Sequence, residues 1–111
     1  MRASVVCAVL LLVLTGEALG LSANEEMPGC RVAVGSMHSG HPSGWGGGHC
    51  TGAIGAIFYF SEDLRICPPN GSSVGQAMRV VVPYIDSRPA RLHENFYSLA
   101  AEALKAAWPC R

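Results

Sequence analysis

The sequence carries no surplus of either charge. Eight Lys and Arg stand against eight Asp and Glu, so nothing is left over to neutralise nucleic-acid phosphates or to hold an anionic membrane surface. Charge is also sparse, at 14% of the residues against 50% hydrophobic, which excludes a disordered tail or a coiled coil and allows one small domain in 111 residues. There is no internal repeat. No apolar run reaches the roughly 20 residues of a transmembrane helix; the one from Val5 to Leu14 is broken by Thr15, Gly16 and Glu17. That run follows Arg2 and precedes Ala18-Leu19-Gly20, the order of a cleavable secretory signal peptide. The division expected is a signal at 1–20 and one domain at 21–111, exported to the periplasm without a stable membrane anchor.

Cys7 lies inside the apolar run and leaves with the signal. Cys30, Cys50, Cys67 and Cys110 remain, an even number in a chain bound for an oxidising compartment, where two disulfides are the natural arrangement. A domain this small buries a modest share of its surface, so covalent staples matter to it.

Residues 35–49 contain six Gly and three His with neither a helical nor a strand period and are expected to form a loop. Before them, Pro28-Gly29 limits any helix around Cys30 and Val32 to two or three turns. Cys50 to Phe60 is apolar on every side, and its length favours a buried helix over a strand. Pro68-Pro69-Asn70-Gly71 is a strong turn signal. Ser73-Val74-Gly75-Gln76 fits a capping box, and Val74, Ala77, Met78, Val81, Val82 and Ile85 form one side of the helix it starts. Pro83 should kink that helix, which ends before Pro89. Leu92, Phe96, Leu99, Ala103 and Ala106 mark a last amphipathic helix of four or five turns, stopped by Pro109. The fold class expected is therefore all-α, with about four helices.

The short Ser87-Arg88-Pro89 link turns the last two helices into an antiparallel hairpin. Cys67 and Cys110 then lie at its open end, which makes Cys67–Cys110 the preferred bridge and leaves Cys30–Cys50 as the second. Cys50–Cys67 with Cys30–Cys110 is the nearest alternative. Closing the preferred loops is worth about 4 and about 3 kcal/mol in the chain-entropy model.

Chemistry-bearing residues are few. His38, His41, His49 and Cys50 would suit zinc or copper, but structural zinc spacing wants two close pairs with a longer gap between them, and Cys50 is expected to be consumed in a disulfide. No metal site is assigned. His49 and Cys50 are adjacent without an acidic orienter, and oxidised cysteine is not a nucleophile. Gly44-Trp45-Gly46-Gly47-Gly48 misses the dinucleotide pattern. Glu62-Asp63 reads as a solvated start to a connection, Arg88 and Arg91 as a solvated hairpin tip, and Trp108 as a core plug. The chain is expected to bind rather than catalyse, with no cofactor and no nucleic-acid partner.

An ordered set of motifs extends this. Cys50-x-Gly52-x-Ile54-x-x-x-x-Tyr59, Cys67-Pro68-Pro69, Gly75-Gln76, Val80-Val81-Val82-x-Tyr84-Ile85 ahead of Pro89, and Ala103-Leu104-x-x-Ala107-Trp108-Pro109-Cys110 closely resemble the Rap1a/Tai immunity-protein family. Met27-Pro28-Gly29-Cys30-Arg31 looks like that family's end of a first helix, whereas residues 32–49 and Pro83 depart from its pattern. The resemblance implies an exported helical protein that binds a peptidoglycan amidase effector of type VI secretion and blocks its active site, several members acting as homodimers. The turn Pro68, Pro69, Asn70, Gly71 and Ser72 and the polar side of the last helix are the candidate contacts. A small periplasmic structural or stress-related protein using the same fold for another partner is the alternative.

Overall fold

The computed structural model describes residues 20–40 and 44–111. The expected signal peptide, apart from Gly20, and His41 lie outside the described residues. Among the described residues four α-helices follow one another: α1 Ala23–Ser39, α2 Gly44–Tyr59, α3 Val74–Asp86 and α4 Phe96–Ala107, with a 3-10 turn at Pro89–Arg91 between the last two. The all-α class and the two staples are as expected, joined as Cys30–Cys50 and Cys67–Cys110.

The first helix is the largest correction. It runs for 17 residues, through the first third of the segment expected to be a loop, and Gly44–His49 form the start of α2. Glu25 reaches back so that the Ser22 amide and hydroxyl donate to its Oε2 at 2.8 and 2.9 Å, half of a capping box that the pattern Ser22-x-x-Glu25 announces. Ala23, Met27, Cys30 and Ala33 then fall on one buried side. The helix stops at Gly40, which at φ 71 adopts the left-handed conformation and donates to Ser36 O at 2.8 Å. The Gly-rich sequence was misleading because only part of it turns: Gly40 and Gly44 take the left-handed conformation at the helix ends, whereas Gly46 lies inside α2 and serves a helix contact. A Cβ on Gly29 would lie 2.4 Å from Gly46 O, so α1 and α2 touch backbone to backbone, and they are the most closely engaged pair of helices.

Helix α3 starts as expected, with Gln76 N donating to Ser73 Oγ at 3.1 Å, and it buries Ala77, Met78, Val81, Val82 and Ile85. It runs continuously past Pro83 to Asp86. Helix α4 is shorter than expected, because Leu92 belongs to the link and Asn95 is the cap, accepting from Ser98 N at 3.1 Å. The link itself docks on the start of α1: Ala23 N and Asn24 N, two donors with no partner inside their own helix, bond Glu94 O at 2.9 Å and Leu92 O at 2.8 Å. Phe96, Met27, Ile54, Ile66, Met78, Ile85, Leu99 and Leu104 fill the core, and Trp108 lies edge-on to Phe58 at its margin. Arg31 of α1 ties α3 at Asp86 Oδ1, 2.7 Å away.

Arg88 and Arg91 are not simply a solvated tip. Arg88 stacks on the Tyr84 ring 3.5 Å from its centroid and donates to Tyr84 O at 2.7 Å. Arg91 holds both oxygens of Glu102, at 2.7 and 2.9 Å, and both of Glu94, at 2.9 Å each. Tyr84 adds a hydroxyl bond to Glu102. Arg91 first, and Tyr84 second, hold the Glu102 carboxyl down at about 2, and Arg91 also lowers Glu94. A carboxyl depressed in the folded state contributes stability that is present above the ordinary value of 4.5 and lost as pH falls through about 2. The unfolding temperature should therefore decline over that window. Glu102→Gln should start lower at neutral pH and decline less steeply, by an amount limited by solvent screening of this half-exposed group. Melting curves between neutral pH and pH 2 check this.

Candidate partner-binding surface

Among the described residues, the two most exposed large apolar side chains, Trp45 and Tyr59, mark two places. At the C-terminal end of α2, Tyr59 is 81% and Phe60 53% exposed, their rings edge to face with centroids 5.1 Å apart. The chain then turns sharply through 61–65. Arg65 takes φ 57, and Ile66 N returns to Ser61 O at 2.8 Å. Ile66 is buried and bridges to Pro109, while Cys67 N donates to Trp108 O at 2.9 Å beside the Cys67–Cys110 disulfide. The turn is thus pinned to the end of α4 by the bridge, the hydrogen bond and the staple. Between Tyr59, Glu62, Asp63, Cys67 and Pro68 lies an open hollow of about 460 Å³.

Of the turn selected from sequence, Pro68 lines this hollow. Pro69, Asn70 and Gly71 are exposed beyond it, and Ser72 is half-buried, its amide and hydroxyl both donating to Pro69 O. Sequence reasoning missed the aromatic pair, because Tyr59 and Phe60 close an unbroken apolar run and were read as core. The polar side of α4 is partly spent, since Glu102 is held by Arg91 and Tyr84.

The second place lies between the N-terminal ends of α1 and α2. Trp45 is 88% exposed, and its ring centroid is 6.3 Å from that of His49. His49 is not part of a free loop: its Nδ1 lies 2.7 Å from Oε1 of Glu26, a carboxylate only 5% exposed. Glu26 was also missed. The signal was an acid one turn before Cys30, on the side of α1 that carries Ala23, Met27 and Ala33. A Glu26 oxygen and the sulfurs of Cys30 and Cys50 lie within 4.8 Å of one another, but the sulfurs are joined to each other and are not thiolate ligands. His38 is exposed on α1, apart from this group.

The imidazole of His49 is engaged by a carboxylate, the neighbouring cysteine is oxidised, and the rings of Trp45, Tyr59 and Phe60 stand exposed on a stapled helical frame. The family model for the Rap1a immunity proteins matches residues 22–110, and the chain belongs to that family. No curated protein and no solved structure matches it. Among the described residues no helix is long and apolar enough to cross a membrane.

Proposed function

We propose that the protein is an exported immunity protein that binds a type VI secretion peptidoglycan amidase and occupies its active-site cleft. The observation that carries this is the family match over residues 22–110. Its binding surface, in this proposal, is the Tyr59–Phe60 pair with the adjoining hollow and the Pro68–Ser72 turn. Aromatic anchors dominate interface energetics when a rigid frame presents them, and this pair stands on a turn held by the Cys67–Cys110 staple. Inhibition is by occlusion, so neither partner is chemically altered. The two disulfides favour an oxidising compartment, and export through cleavage near Leu21 would keep the bond from Phe96 N to Leu21 O.

The test expresses a cognate amidase in the periplasm with and without this protein. Rescue from lysis, with a stable complex of unaltered masses, is the expected result; unimpeded peptidoglycan cleavage under saturating excess would refute the proposal. Within that assay, Tyr59→Ala with Phe60→Ala should weaken inhibition by about thirtyfold or more, the loss of about 2 kcal/mol typical of an interface anchor. Because both rings are largely exposed, the melting temperature should stay nearly unchanged. A variant that melts normally and inhibits fully would move the interface elsewhere.

A further inference from the structure

The hollow between the starts of α1 and α2, about 260 Å³, is lined by Leu21, Glu25, Glu26, Trp45, His49 and the Gly29–Gly46 contact. Its charged lining is acidic: two carboxylates and one imidazole, with no Lys or Arg among the lining residues. Its floor is a nearly buried carboxylate, and its wall is an indole left almost wholly in solvent. We propose that this hollow receives an arginine side chain presented by the partner protein, which rests on the effector-binding reading for the source of that side chain.

The chemistry is specific to guanidinium. A planar delocalised cation stacks on an indole face and offers a fork of donors to carboxylate oxygens, whereas a lysine ammonium is a compact and more strongly hydrated point charge. Glu26 uses Oε1 for His49, and Glu25 uses Oε2 for both bonds from Ser22. A carboxylate has about four acceptor sites, so each retains capacity for a further donor. With Nδ1 of His49 committed to Glu26, its Nε2 edge is the part of the ring left to meet a ligand. The close backbone contact at Gly29 and Gly46 and the Cys30–Cys50 disulfide, with Cα atoms 5.1 Å apart, hold the two helices that carry these side chains in place before anything binds.

The experiment needs no amidase. The oxidised protein is titrated with N-acetyl-arginine amide while the indole N–H resonance of Trp45 and the ring resonances of His49 are followed by NMR, with the corresponding lysine and leucine amides in parallel. Saturable shifts with the arginine compound are expected, in the millimolar range, together with binding at least severalfold weaker for lysine and none for leucine. Trp45→Ala should weaken the arginine interaction about fivefold without moving the melting temperature, since the ring is exposed. Equal binding of lysine, saturable binding of leucine, or no saturable shift with arginine would each overturn the proposal. Binding of the amide alongside failure to protect against any amidase would leave the hollow standing and remove the immunity reading; inhibition without amide binding would do the reverse.

Discussion

Gly29→Ala should destabilise the protein by about 3 kcal/mol, the upper part of the range for overpacking a tight contact, although alanine is the better helix former by about 1 kcal/mol. The added methyl would sit 2.4 Å from the carbonyl oxygen of Gly46 and 2.6 Å from its carbon. Those are backbone atoms of α2, so no side chain can swing aside and the two helices must separate. Gly35 in α1 and Gly52 in α2 are the controls, because nothing lies within 4 Å of a Cβ built on either. Alanine at each should stabilise by about 0.5 to 1 kcal/mol. Urea unfolding of the three variants decides the matter: a neutral or stabilising Gly29→Ala would mean that the helices are not in backbone contact.

Removing the Cys67–Cys110 bridge by paired alanine substitutions should cost about 4 kcal/mol and removing Cys30–Cys50 about 3, following the lengths of the loops they close. A small domain has about 5 to 15 kcal/mol in all, so the fully reduced chain should be close to unfolded at physiological temperature. The two bonds should also differ in how they are lost. Cys30 and Cys50 are completely buried, whereas Cys67 and Cys110 are exposed at the open end of the hairpin. Limited reduction of the native protein followed by alkylation should therefore label Cys67 and Cys110 first, with unfolding only after the second bond opens. Simultaneous labelling of all four would show that the first reduction already unfolds the chain.

The C-terminal half was legible in sequence because its signals are local. Ser73 and Gln76 form the expected cap contact, the stripe from Ala77 to Ile85 has one buried side, and the hairpin brings Cys67 to Cys110. Leu92 extended the apolar spacing of α4 one turn too far because it packs on the core from a turn, at a position periodicity cannot distinguish from helix. The N-terminal half was less legible, since what makes α1 and α2 helices lies between them. The glycines at 29 and 46 answer each other across the interface, and no local pattern displays a contact made by absent side chains. The same holds for the surface. The Pro68 turn is visible as a turn, but Glu26 and His49 meet only after two helices pair, and Tyr59 and Phe60 gain meaning only from ending a helix in solvent.

The two disulfides divide the domain into covalent rings, 30–50 and 67–110, joined by the stretch 51–66. A single peptide-bond cut inside either ring, for example in the link between α3 and α4, leaves every fragment attached, and the helices it connects keep their shared core. Only a cut between the rings, or outside them, frees a piece. Most of 51–66 is helix α2 or the short turn that follows it, so the sole bridge between the rings is largely made of backbone that a protease cannot extend into its cleft without first unfolding it. This topology turns most accidental nicks within the rings into scars that leave the molecule in one piece.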